Sequence, residues 1–328
     1  MEGYKGMENT QNSSVLKKLF GLREASLALI IIVFAALLSF MAPGFLSTYN
    51  INTTLIGLSM DGILAVGMTL VLVVGGIDLS VGSVMAFANV LAGMTMVTLG
   101  LNIWLSVLIS MVLSVLIGFS ISQFITKIKL SPFITTLSMM SIGRGLAYII
   151  TKGSPVSIGQ ISETFDFIGG GKTFGIPNPG LILILLVIVM DFLMRNSKTF
   201  RKIYYVGSNE EAAKFSGINV NKTKIMVYIL CSSLAGFAGI LNLARFGVAT
   251  PTVGTGAELR AIAGAVIGGA SLTGGEGTVL GAFLGIILVG LVNNALVLLG
   301  VSVYWQQLVV GLVLLSAVII DMKVHGSK

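Results

Sequence analysis

The chain has one cysteine, Cys231, and one histidine, His325, among 328 residues. A single thiol forms no internal disulfide, and one Cys with one His falls short of a metal-ligand set. Cys231 lies in an apolar run and reads as a small packing residue, and His325 lies in the polar tail and reads as solvated. Charge is scarce too, at 10% of residues, against roughly 25% in a soluble domain. The few acidic residues are scattered, so no convergent acid, base and metal set marks a membrane-embedded enzyme. Alternating apolar and polar residues are also missing, which excludes a β-barrel.

What is present is 55% hydrophobic residues and a mean hydropathy of +0.98, arranged as long apolar runs between short polar ones. That pattern specifies an all-α, polytopic membrane protein. The first 24 residues are polar and mixed in charge, without a short apolar core and small-residue cleavage site. The first apolar run is therefore expected to be an uncleaved span.

Ten apolar segments can be read: about Ala25–Ala42, Leu55–Val74, Leu79–Leu99, Ile103–Thr126, Phe133–Thr151, Gly180–Met194, Ile225–Val248, Leu259–Gly269, Val279–Leu299 and Tyr304–Ile320. The eighth is too short for a straight helix through roughly 30 Å of hydrocarbon, so it is expected to be half of a broken helix or a re-entrant segment. The net charge of +7 would suit nucleic acid, but 15 of the 20 basic residues fall in four segments. These are Lys5 to Arg23, Lys127 with Lys129, Arg195 to Lys224, and Lys323 with Lys328. If each apolar segment crosses once, all four lie on one side, and positive charge marks the cytoplasmic side. The expectation is about ten transmembrane helices with interrupted segments, both termini cytoplasmic, a lipid bilayer as partner and no nucleic acid. The organisation is then 1–24 cytoplasmic, 25–321 transmembrane with an extracytoplasmic loop 152–179 and a cytoplasmic loop 195–224, and 322–328 as a cytoplasmic tail.

Within the outer loop, Gly169–Thr173 (GGGKT) resembles a phosphate-binding loop, but Asp166 stands where the first glycine is required. It carries no nucleotide site. Val73–Phe87 (VVGGIDLSVGSVMAF) and Val266–Phe283 share apolar run, Gly-Gly, polar patch, apolar run. Such echoes arise from transporter repeats or from close helix packing alone.

The longest basic segment holds Gly207–Lys224 (GSNEEAAKFSGINVNKTK). Ser208 with Glu211 reads as a capping box that starts a helix near Asn209. Gly217 is placed to close it in the left-handed conformation. The two-turn helix so predicted has Glu210 and Glu211 at its positive end, Ala212 and Ala213 as a small face, and Phe215 as an apolar knob. It suits a groove on another protein, or is an ordinary loop helix.

Glu211-Ala212-Ala213 followed by Gly217 resembles the coupling-helix motif of ATP-binding-cassette importer permeases. Together with Gly75–Ser83 (GGIDLSVGS), Gly153–Gly159 (GSPVSIG), Phe215–Lys224, Pro251–Gly277 and Tyr304–Asp321, it makes the chain similar to the permease subunit of bacterial ribose-type sugar importers. The resemblance runs from about Ser47 to Asp321; the proline that often follows the coupling motif is absent. It implies an inner-membrane, non-enzymatic transport subunit that binds no cofactor itself. It also implies ATP-Mg on a partner ATPase docked at Ser208, Asn209, Glu210, Glu211, Ala212, Ala213, Phe215 and Gly217. An extracytoplasmic sugar-binding protein and a second permease copy complete the assembly, and ribose is the substrate suggested.

A path for neutral, hydroxyl-covered sugars must offer hydrogen bonds in a low-dielectric slab. Gly75, Gly76 and Gly82 permit an interrupted helix that exposes backbone to a cavity. Asp78 is then a cap for the following helix with Ser80 as partner, a direct sugar contact, or an interfacial residue. Asn89, Asn293 and Asn294 are further path candidates, of which the adjacent pair points about 100° apart on a helix, so at most one faces a narrow pore. Arg144 and Gln306 carry no assignment, and Arg245, Glu258 and Arg260 form ion pairs or dock the binding protein. The rival reading is a proton-coupled secondary transporter with Asp61, Asp78 or Glu258 as carrier.

Overall fold

A computed structural model describes residues 23–159 and 162–325. Lys5, Lys17, Lys18 and Lys328 lie outside the described residues. The order is α1 (Arg23–Met41), α2 (Thr48–Val73), α3 (Val81–Leu99), α4 (Ile103–Thr126), α5 (Pro132–Thr151), β1 (Val156–Ser157), α6 (Glu163–Gly170), β2 (Lys172–Thr173) and β3 (Ile176–Pro177). It continues through α7 (Asn178–Asn196), α8 (Lys198–Ser208), α9 (Glu210–Phe215), α10 (Val220–Phe246), β4 (Val248–Ala249), α11 (Ala257–Ile267), α12 (Val279–Leu298) and α13 (Val303–His325). Eight of these, α1–α5, α7, α10 and α12, are long and apolar enough to cross a membrane. The protein is an all-α, polytopic membrane protein.

Helix ends follow from caps. Asn102 accepts from Trp104 N–H and starts α4, whose bounds coincide with the apolar run. Ser47 and Asn219 cap α2 and α10 in the same way, so both helices begin several residues before their apolar runs. Gly100 and Gly247, both at φ 63°, close α3 and α10 in the left-handed region.

The core is built on α2 and α3, which are buried on nearly every side, whereas α1 and α5 present apolar faces outward. An all-round apolar helix at the centre is the expected outcome when neighbouring helices replace lipid. Close contacts rest on glycine. A Cβ at Gly285 of α12 would fall on the Gly264 carbonyl of α11, and one at Gly268 on Gly281. The spacing of four on each side makes a small-residue seam that lets two backbones touch.

The helix of the eighth apolar segment is preceded by non-helical chain. Val248 and Ala249 pair antiparallel with Ser157 and Val156 of the loop 152–179, and residues 251–256 that follow are turns, with Val253 N–H on Thr250 O and Ala257 N–H on Gly254 O. The helix itself is the 11-residue α11, about 16 Å long. After α11, Gly275 N–H reaches Val73 O at the far end of α2, 2.9 Å away. A Cβ at Gly93 would meet Ala249, and one at Gly82 would meet the Gly254 carbonyl. Residues 249–254, which turn after Thr250, thus run alongside the first three turns of α3. The short eighth segment is thus an 11-residue helix preceded by turns.

Candidate functional site

Three places in the fold carry the residues singled out by the sequence. The first is a cavity of about 710 Å³ between α2, α11 and α12. Ser47, Thr53, Thr54, Asp61, Asn242, Arg260, Asn293 and Asn294 give it polar walls, and Met60, Met85 and Leu58 give it apolar ones. Asn294 is committed to an interhelical amide pair: Asn50 Nδ2 donates to its Oδ1 at 3.1 Å, and its Nδ2 donates to Asn50 Oδ1 at 2.7 Å. Asn293 faces the same space. Asp61, on α2, meets Arg260, on α11: Nε donates to Oδ2 at 2.7 Å and Nη2 to Oδ1 at 3.0 Å. The resemblance gave neither residue a place in the path.

The second place is the break between α2 and α3, and it corrects several expectations. Gly75 and Gly76 do not open backbone to the cavity. Gly76 N–H goes to Val71 O at 2.8 Å and Gly75 N–H to Leu72 O at 2.9 Å, with Gly75 at φ 83°. That is a Schellman closure of α2. The glycines also permit packing: a Cβ at Gly76 would strike Tyr228 Oη, and one at Gly274 would lie 2.9 Å from Gly75 Cα. The two echoing glycine patches therefore meet each other.

Asp78 is fully buried and does not line the cavity. Its Oδ1 accepts from Ser80 N–H at 2.9 Å and from Ser80 Oγ at 2.6 Å. The N-cap position of α3 is Ser80 itself, without a side-chain cap. Asp78 therefore fixes the residue that begins α3 and does not cap the helix directly. Asn89 is likewise fully buried, with Nδ2 donating to Gly239 O at 3.1 Å and Oδ1 accepting from Thr250 N–H at 2.8 Å. It clips the non-helical stretch before α11 to α3 and α10.

Arg144 does the complementary work. Its Nη1 donates to Pro251 O at 2.6 Å and Val253 O at 2.7 Å, and its Nη2 to Gly82 O at 3.2 Å. Non-helical backbone at membrane depth is tolerated only where protein satisfies it. The signal in the sequence was a lone arginine in a membrane helix, without a partner that spacing could suggest.

The third place is the surface of α8 and α9. Asn209, not Ser208, caps α9, accepting from Ala212 N–H at 2.9 Å, while Ser208 is the last residue of α8. The capping box with Glu211 does not form. Gly217, at φ 77°, closes α9 as expected: Ile218 N–H reaches Ala213 O and Gly217 N–H reaches Lys214 O, each at 3.0 Å. At six residues, the helix is shorter than two turns. Ala213 is buried inward, whereas Glu211, Ala212 and Phe215 face out, the last 91% exposed. Glu210 anchors α9 by accepting from Lys224 at 2.6 Å and pairing with Lys214 at 2.9 Å. The Lys224 hydrogen bond, more than the rest of its surroundings, holds the Glu210 carboxyl below its ordinary value. Tyr204 Oη donates to Gly277 O at 2.8 Å, tying α8 to the loop after α11. Burial pushes that phenol up.

The family described as "Branched-chain amino acid transport system / permease component" matches residues 50–318. The chain belongs to this permease family. It is 40% identical over 304 residues to ribose import permease protein RbsC of Escherichia coli (strain K12), covering 92% of this chain and 94% of that protein. RbsC of Bacillus subtilis (strain 168) is 38% identical over 291 residues, covering 89% and 90%. The L-arabinose transport system permease protein AraH of E. coli (strain K12) is 37% identical over 301 residues, covering 91% of each. The permease is thus a multi-pass membrane transport component and not an enzyme. Gly169–Thr173 agrees with that: Gly169 and Gly170 end α6, and Lys172–Thr173 pairs with Ile176–Pro177 as a small hairpin.

Proposed function

We propose that the permease forms the translocation path of an ATP-driven sugar importer with ribose as substrate. It works as a pair of copies, with a cytoplasmic ATPase docked on α8 and α9 and an extracytoplasmic binding protein delivering the sugar. ATP-Mg is held by the ATPase. The relatives named for ribose and arabinose support the substrate class. A cavity walled by hydroxyls and amides, its two charged residues neutralising one another, suits a neutral solute.

The observation that carries the reading is Phe215. A phenyl ring 91% exposed at the end of a capped helix, in the basic loop 195–224, is costly in water and gains by entering a partner's pocket. A proton-coupled carrier needs no such element.

The test is co-purification. Co-expressed with its partner ATPase, the wild-type permease should retain the ATPase through size exclusion. Phe215→Asp and Gly217→Val should lose it while inserting normally in the membrane. Undiminished retention by both variants contradicts the docking assignment.

A further inference from the structure

The Asp61–Arg260 pair lies within the membrane-spanning part of the permease, with Glu258 a further charge that acts on Arg260. Asp61 lies 13 residues into the 26-residue α2, about 20 Å from its start and so near mid-bilayer. Arg260 is on the half-helix α11. Exchanging such a pair for apolar residues of similar volume is often neutral or stabilising, so holding the fold together is a weak reason for its presence. Intramembrane charges otherwise mark solute pathways.

The pair is also unsaturated. A carboxylate offers about four lone-pair sites and a guanidinium five N–H donors. Asp61 receives one N–H on each oxygen, and Arg260 spends two donors on Asp61 and a third on Thr255 O at a long 3.5 Å. Both side chains are about a quarter exposed, 24% for Asp61 and 27% for Arg260, and both line the cavity. Asn293 lines the same wall, and its amide has no hydrogen-bond partner among the described residues. Acceptors, donors and an uncommitted amide therefore face one space. Its volume of about 710 Å³ falls within the roughly 300–1,000 Å³ of small-molecule sites.

We infer that Asp61, Arg260 and Asn293 form a binding subsite for a neutral polyhydroxylated solute inside the permease itself. One hydroxyl of a vicinal diol donates to a free lone pair of Asp61, its neighbour accepts from a free N–H of Arg260, and Asn293 takes a third. The zero net charge of the pair attracts neither cations nor anions, so selection rests on paired hydroxyls. The inference rests on the sugar-importer reading. It adds that the membrane subunit, and not the binding protein alone, discriminates the substrate.

The test uses the full complex in nanodiscs with the binding protein omitted and Thr54→Cys as reporter at the cavity wall. Ribose should slow maleimide labelling of that thiol, and equimolar betaine, a zwitterion without hydroxyls, should not. Arg260→Lys keeps the charge and loses the planar fork. It should raise the half-protecting ribose concentration at least about fivefold, the scale of one charge-assisted contact. Thermal unfolding of the complex should be unchanged in that variant. Equal protection by betaine, no protection by ribose, or an Arg260→Lys value within about twofold of wild type overturns the subsite. Ribose uptake by the same preparation with binding protein and ATP restored is the separate readout for the importer reading. Uptake without protection sinks the subsite alone, and no ATP-driven uptake sinks the reading beneath it.

Discussion

Arg144 donates through Nη1 to the Val253 carbonyl at 2.7 Å, joining α5 to the non-helical stretch before α11. The same guanidinium reaches Pro251 O and Gly82 O, so one side chain satisfies three carbonyls inside the apolar slab. Leaving a buried acceptor unmet costs about 1–3 kcal/mol. Arg144→Ala should therefore lower stability by about 3 kcal/mol or more and reduce the monodisperse yield in detergent. Arg144→Lys should recover only part of it, because the ammonium lacks the fork. A melting temperature for Arg144→Ala equal to wild type contradicts this role.

Asp78 governs the other break. Its Oδ1 takes both the N–H and the hydroxyl of Ser80, and an asparagine oxygen can accept the same two bonds. Asp78→Asn should keep ribose uptake within about threefold of wild type once corrected for membrane level. Asp78→Leu strands two buried donors and should cost at least about tenfold. Abolition by Asp78→Asn would instead mark a proton carrier.

Much of this arrangement was legible in the chain. The shortness of the eighth segment and the left-handed Gly217 follow from apolar run length and glycine placement, whereas about ten spans were expected and eight helices among the described residues are long and apolar enough to cross. Which residue caps α9 did not follow, since Ser208 and Asn209 are both good caps. The hydrophobic period of α8, which buries Ile203 and Val206, carries that helix through Ser208 and hands the cap to Asn209. The non-helical stretch before α11 was hidden for a different reason. Its partners Asn89 and Arg144 stand 161 and 107 residues away from the backbone groups they hold. Asp61 and Arg260 are 199 residues apart. Local pattern marks each of these as a polar residue in an apolar run, and only the packing of α3, α5 and α11 decides which groups meet. The glycines of the first break misled for a related reason: the same residues that loosen a helix also let two backbones touch.

Glu210 gives the α9 surface a pH dependence of known sign. Its folded value lies below the ordinary 4.5, chiefly through Lys224. A depressed carboxyl stabilises above the unfolded value, and the contribution is lost as pH falls through the folded value. A spin label at Ser216→Cys should keep constant mobility from about pH 8 to 5 and loosen below about pH 4. With Glu210→Gln added, it should be mobile throughout. An acid transition that survives Glu210→Gln contradicts the assignment.

The central claim is that this permease moves a sugar at the expense of ATP hydrolysed by a docked partner. Uptake of radiolabelled ribose by proteoliposomes holding permease and ATPase measures it most directly, with binding protein outside and ATP trapped inside. The account predicts uptake that needs both ATP and binding protein and is unchanged when a protonophore collapses the proton gradient. Uptake by the permease alone, driven by a proton gradient and abolished by the protonophore, would contradict it.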